Sequence, residues 1–264
     1  MREKKMPMVL VGASNHLFKT VKVSDKHREI YRVKADIILK TMAKLKYLAI
    51  NVGEYDLGLG ISYLREKRKE LKLPFISANL VDVSGNRIFP PSKMVQVNGI
   101  KIGVIGVIKS RLKKGKIPDG KTLNVLDPVK IVKREAGRLR KRGAAIVLVL
   151  TDMGEMRSRI LTKRELPIDV VISSCRRNRI SLPAVQNKKI ILHLNRYGEN
   201  VGCLKVTKLE KGVSPPKIVT GGATVVMKGF IFKNAVVPLG HLVKDDPEIA
   251  KMVDAFAKKY PYAR

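Results

Sequence analysis

The sequence predicts an α/β protein, a four-layer α/β/β/α sandwich of two mixed sheets with outer helices. Three observations carry that expectation. Short apolar runs alternate with segments of helical periodicity, as in helix-linked strands. One pair of runs is instead joined by Asn98-Gly99, a hairpin turn signal, so strands of both directions are expected. The 264 residues are 45% hydrophobic but only 5% aromatic, with no Trp. Such a composition builds its core from Val, Ile and Leu in buried strands.

Taken in order, Val9–Gly12 reads as a short strand, and Ala35–Lys46 sets Ile38, Met42 and Leu45 on one helical face. Tyr47–Asn51 is the next apolar run. Ile61–Leu71 reads as a helix that stops before Pro74, with Phe75–Leu80 as the strand after it. Met94–Ile108 forms the hairpin, and Lys109–Lys121 reads as a basic loop containing Gly and Pro. Asp127-Pro128 supplies an N-cap and a first-turn proline, and Val129, Val132, Ala136 and Leu139 make the buried stripe of the helix they open. Arg138, Arg140, Lys141 and Arg142 before Gly143 suit the negative end of its dipole and its C-cap. Ala145–Leu150 is an all-apolar strand leading to Thr151-Asp152-Met153-Gly154 and a helix. Asp169–Ile172, Lys189–Leu194, Val201–Thr207 and Ala223–Val226 read as further strands. A closing helix from Asp246-Pro247 is expected to bury Ile249, Met252, Val253 and Phe256. No repeat, low-complexity tract or linker divides the chain, so a single domain over 1–264 is expected.

The charge balance is extreme, 54 Lys+Arg against 22 Asp+Glu, or +32. Such a surface draws polyanions nonspecifically. The competing reading spreads these charges over solvated helix faces, because no folded nucleic-acid-binding motif accompanies them. Two cysteines, Cys175 and Cys203, exclude a disulfide framework. No apolar run approaches the roughly 20 residues a membrane span needs, and Met8–Ala13 is too short for a secretory signal. As written, the chain is expected in the cytoplasm; an upstream segment would make it an exported protein. A P-loop, a nucleophile elbow and a Cys-x-x-Cys pair are all missing from the sequence, which sets aside the chemistries they serve.

The segment Leu48–Gly58, with Asn51-Val-Gly-Glu-Tyr-Asp-Leu-Gly at its centre, resembles the Gly-Asn-His-Glu-Phe-Asp-x-Gly loop of the 5′-nucleotidase branch of the calcineurin-like metallophosphoesterases. Leu73–Asn79, Val97–Gly106 and Asn195–Gly202 resemble further segments of that family in the same order. The resemblance implies the four-layer fold, and it implies a site that in the family holds two divalent metals to activate water and clamp phosphate. It also implies that most ligands are lost here. Val52 and Gly53 stand where the family has a metal-binding Asn and a phosphate-assisting His. Ser14-Asn15 replaces a Gly-Asp pair, so the bridging carboxylate has become an amide. Asp152 stands for a His, and Cys175 and Arg177 stand for two more. An Arg has no lone pair to offer a metal. The first metal-binding strand of the family, Asp-x-His, lies upstream of the first residue, so the domain is expected to be N-terminally incomplete.

Three functions are expected from these readings. The first is a catalytically inactive pseudo-phosphoesterase that binds nucleotides or phosphorylated ligands, with Arg176, Arg177 and Arg179 gripping phosphate in place of a metal. The second is an active metal-dependent phosphohydrolase with a site rebuilt from Asn15, Glu54, Asp152 and Cys175. Against it, Cys175 reads as a small buried hydrophobe and Asp152 as a turn or helix cap. The third is a basic scaffold that binds polyanions or nucleic acid. Among the histidines only His16 neighbours the former Gly-Asp position, and His193 reads as a core histidine.

Overall fold

The structure, a computed structural model, describes residues 6–21, 23–109, 115–174, 184–194, 198–210, 224–241 and 243–261. The first half runs β1 (Val11–Gly12), α1 (Arg28–Lys44), β2 (Ala49–Asn51), α2 (Ile61–Glu70), β3 (Phe75–Ile76), β4 (Leu80–Asp82), β5 (Ser92–Val97), β6 (Ile100–Val107), β7 (Gly115–Lys116) and β8 (Thr122–Val125). The second half runs α3 (Pro128–Lys141), β9 (Ile146–Thr151), α4 (Gly154–Lys163), β10 (Val170–Ser174), β11 (Ala184–Gln186), β12 (Lys189–Leu194), β13 (Asn200–Lys208), β14 (Thr224–Met227), β15 (Phe230–Pro238) and α5 (Pro247–Lys259).

A small parallel sheet, β1-β2-β3, faces a six-stranded mixed sheet ordered β11-β12-β10-β9-β6-β5. Two antiparallel three-stranded sheets, β4-β8-β7 and β13-β15-β14, complete the β structure. Strand alternation sorts the apolar side chains into three layers. In β9, Val147 and Val149 join the cluster with Val132, Ala136 and Leu139 of α3. Ile146, Leu148 and Leu150, on its other face, join Ala49 of β2, Ile76 of β3 and Phe232 of β15 between the sheets. Ile50 of β2 points away from that layer, towards Leu39 of α1 and Leu64 of α2. Helix, sheet, sheet and helix are therefore stacked in the expected order.

Close approaches fix how the layers meet. At Gly103 in β6 a Cβ would sit 2.7 Å from Leu139, so the missing side chain lets α3 lie against the strand. At Gly106 a Cβ would fall 2.4 Å from the Asn51 side-chain oxygen, where β2 and β6 of the two sheets touch. Buried Asp169 ties three elements together. It accepts from Arg140 of α3, from Lys228 Nζ at 2.6 Å in the β14–β15 turn, and from the Val147 backbone N–H at 2.7 Å.

The run Phe75–Leu80 is two strands. After Ile76 the chain leaves the small sheet, and Ser77 and Ala78 donate to Pro90 and Gly106 instead, so residues 77–79 cross between sheets. The helix expected from Ala35 starts at Arg28, about two turns earlier. The strands β8, β11 and β15 carried too little contrast with their flanks to be read. The expected burial of α5 is not met: none of its residues is buried, and Val253 is 48% exposed. Polar contacts hold it to α1, with Lys44 Nζ reaching Asp246 at 2.8 Å and Glu248 at 2.5 Å, and Tyr260 donating to Glu29 at 2.7 Å.

Candidate functional site

The C-terminal ends of β1, β2, β6, β9 and β10 gather at one edge, where the loops that follow them meet. In open α/β architectures this edge is where ligands bind. Asp56 organises it. Its buried carboxylate accepts four backbone N–H groups, from Asn15 (2.9 Å), His16 (2.7 Å), Leu17 (3.0 Å) and Gly53 (2.8 Å). Charge-assisted bonds of this kind are about twice as strong as neutral ones, so one side chain locks the β1 loop to the β2 loop.

The Asn15 amide closes the same junction. Its oxygen accepts from Tyr55 N–H at 2.9 Å, and its φ of 58° is the left-handed conformation that Asn tolerates. A Cβ on Gly53 would lie 2.3 Å from that oxygen. The Asn15 amide therefore fills the space beside Gly53, and no side chain fits there without displacing it. Val52, fully buried, packs in the cluster of α1 and α2 and offers no polar atom.

Lys109, at the end of the run from β6, sits in the middle of the edge. Its ammonium pairs with Glu54 at 3.1 Å, the two side chains being 10% and 11% exposed, and lies 5.5 Å from the centre of the Tyr55 ring. Asp152 joins them through the backbone, accepting from Lys109 N–H at 2.7 Å and Glu54 N–H at 3.2 Å. Burial pushes the Asp152 carboxyl up to about 6, against the opposing pull of Lys109 and of these hydrogen bonds. The result is a buried cluster in which one lysine cation faces two carboxyl groups.

Two further features frame the cluster. Ser14 and Ser174 share a hydrogen bond of 2.8 Å between hydroxyls, joining the β1 loop to the end of β10. The His16 ring packs over Gly12, where a Cβ would come 2.7 Å from Nε2, and that nitrogen is buried with no hydrogen-bond partner among the described residues. Burial lowers the His16 pKa, opposed by the Asp56 charge and a hydrogen bond to the Gly12 backbone, so the ring is neutral at pH 7.

A pair of divalent metals does not fit the described residues. Val52 and Gly53 have no donor, and the Asn15 oxygen already bonds Tyr55 N–H. Glu54 is spent on an ammonium whose charge would repel a dication. No group of three or more His, Cys, Asp and Glu side chains gathers among the described residues. Of the expected candidates, the edge brings together Asn15, Val52, Gly53 and Asp152, with Glu54. Cys175, Arg176, Arg177 and Arg179 lie outside the described residues. His193 lies buried in β12. Sequence reasoning passed over Lys109, placed in a basic loop. The available signal was a single cation ending the unbroken apolar run Val104–Ile108.

No family profile matches the chain. Among curated proteins it is similar to a probable 5′-nucleotidase of Treponema pallidum, at 26% identity over 147 residues, 54% of this chain and 24% of that protein. It is also similar to a 2′,3′-cyclic-nucleotide 2′-phosphodiesterase/3′-nucleotidase of Salmonella typhimurium, at 25% identity over 130 residues, 44% of this chain and 20% of that protein. The chain thus spans about a quarter or less of these relatives. A solved 5′-nucleotidase precursor of Thermus thermophilus superimposes with a TM-score of 0.72 at 18% identity, covering 96% of this chain and 50% of that one. The calcineurin-like phosphoesterase YfkN of Bacillus subtilis gives 0.70 at 17% identity, covering 97% and 85%.

Proposed function

From a chain that has the calcineurin-like phosphoesterase fold and 5′-nucleotidase relatives, we propose a pseudo-phosphoesterase, a domain that keeps the nucleotidase loop architecture without its metal-dependent hydrolysis. One observation carries the reading: the Lys109 ammonium pairs with Glu54 at the site edge, and its charge acts on Asp152, which also accepts the Lys109 backbone N–H. Two-metal hydrolysis needs dications that acidify a bound water and clamp both oxygens of the displacement. An ammonium supplies one positive charge, has no coordination site for water, and cannot generate hydroxide. The half-buried His16 ring, whose pKa burial lowers, packs over Gly12 with its Nε2 turned inward. The edge keeps what binding requires and lacks what hydrolysis requires. The ligand class that suits it is a nucleotide or other phosphorylated small molecule. The Ser14 and Ser174 hydroxyls meet at this edge, and Arg176, Arg177 and Arg179 come two, three and five residues after Ser174 in sequence.

The test is a hydrolysis assay with AMP, with a 2′,3′-cyclic nucleotide and with a chromogenic phosphate ester, each with manganese or zinc. No turnover above background is expected, alongside measurable nucleotide binding that Arg177→Ala weakens at fixed salt. Metal-dependent turnover abolished by Asp152→Ala would instead establish a rebuilt hydrolase.

A further inference from the structure

Lys109 brings one cation of the +32 excess into the site at the strand ends, and on α2 the excess is sorted by face. Lys67, on the inward side, is 7% exposed and paired with Asp36 at 3.3 Å and Glu70 at 2.8 Å. Arg65, Arg68 and Lys69, with Lys72 just beyond the helix, are all exposed and follow at i, i+3, i+4 and i+7, a single stripe. None of the four makes an ion pair among the described residues; Arg65 exerts only a through-space pull on Asp82. Like charges at this spacing repel one another, so the stripe is held in place with its repulsion unrelieved.

The same four cations line one open groove of about 640 Å³, together with Leu73 and Ile88. Because β2 and β3 are parallel, α2 carries the chain back to the opposite edge of the sheet. The groove therefore lies at the far end from Lys109.

We propose that this groove binds the phosphodiester backbone of nucleic acid without regard to sequence. At 1.5 Å rise per residue the stripe is roughly 10 Å long, which spans about three phosphates of a strand at 3.4 Å each. The lining carries no carboxylate, amide or hydroxyl to read a base edge; its remaining surface is Leu73 and Ile88. Those two side chains are only 2% and 7% exposed, so nothing protrudes to enter a lipid bilayer. Concave shape and absence of an insertable side chain favour a nucleic-acid strand over a membrane surface.

The experiment is fluorescence anisotropy with a labelled mixed-sequence 20-nucleotide RNA across a potassium chloride series. A stripe variant, R65Q/R68Q/K69Q/K72Q, is compared with a control, K130Q/K133Q/K205Q/K233Q, which removes the same number of charges from exposed positions elsewhere. Melting curves establish that both fold, and the single variant R68Q serves if the stripe variant does not. The slope of log K against log salt should shrink in magnitude by roughly 0.7 per lost phosphate contact, about 2 for the stripe variant. The control should lose less than 1. Equal losses in the two variants would reduce the binding to net charge and overturn the proposal. So would an unchanged stripe variant, or a stripe needed for phosphatidylserine vesicles but not for RNA. Phosphatase inactivity has no bearing on any of these outcomes.

Discussion

Replacing Lys109 by Met removes the ammonium that faces Glu54 and leaves that carboxyl group without its ion-pair partner in a position 11% exposed. Breaking a buried pair by deleting one member costs about 3–5 kcal/mol. The ammonium also lies over the Tyr55 ring, a contact of about 0.5–2 kcal/mol. Removing both charges, as in K109M/E54L, exchanges the pair for apolar packing, which is often neutral or better. The double variant should therefore be more stable than K109M, with a coupling energy of at least about 2 kcal/mol. The assay is urea unfolding of the wild type, both single variants and the double variant at pH 7. With a slope of about 3 kcal/mol per molar, K109M lowers the midpoint by roughly 1–1.7 M. Additivity within about 0.5 kcal/mol would refute the idea that Lys109 and Glu54 act as one buried unit.

Asp152 supplies a pH test. Its folded-state pKa, about 6, lies above the ordinary 3.8. Its contribution is thus fully present below pH 4 and is lost as the pH rises through 6, an amount on the order of 3 kcal/mol. A carbon-13 titration of the carboxyl should give a midpoint near 6, and a midpoint near 4 would sink the burial argument. Asp56→Ala strands four N–H groups, each worth about 1–3 kcal/mol if unsatisfied. A loss of at least about 4 kcal/mol is expected in chemical unfolding, and a loss under about 1 would show that water replaces the carboxylate at little cost. Gly53→Ala drives a methyl against the Asn15 amide and should cost about 1–3 kcal/mol or more; an unchanged melting temperature would mean the β1 loop yields freely.

Much of this architecture could be read from residues. Asn98-Gly99 makes the hairpin between β5 and β6, and Asp127-Pro128 opens α3 with the Asp127 carboxylate accepting Lys130 N–H at 2.9 Å. That Val52 and Gly53 carry no side-chain donor was equally legible, because it is a property of the residue types themselves. What surrounds them was not. Lys109 is 55 residues beyond Glu54 in the sequence, and only the stacking of two sheets brings them together. Asn15 filling the space beside Gly53 is likewise a contact across the fold, invisible to any local pattern. The burial expected of α5 failed for a related reason: its apolar periodicity is real, but Lys44 and Glu29 hold its ends on the surface of α1.

The four amides gathered by Asp56 have a consequence for motion. Catalytic loops are commonly drawn from the least stable part of a protein, opening easily so that substrates enter and products leave. Here the loop is fastened from both sides by a buried anion. Amide hydrogen exchange at Asn15, His16, Leu17 and Gly53 should accordingly be as slow as in the central strands. On the proposed reading no turnover requires this region to open, and its stiffness would offer visiting molecules a fixed surface.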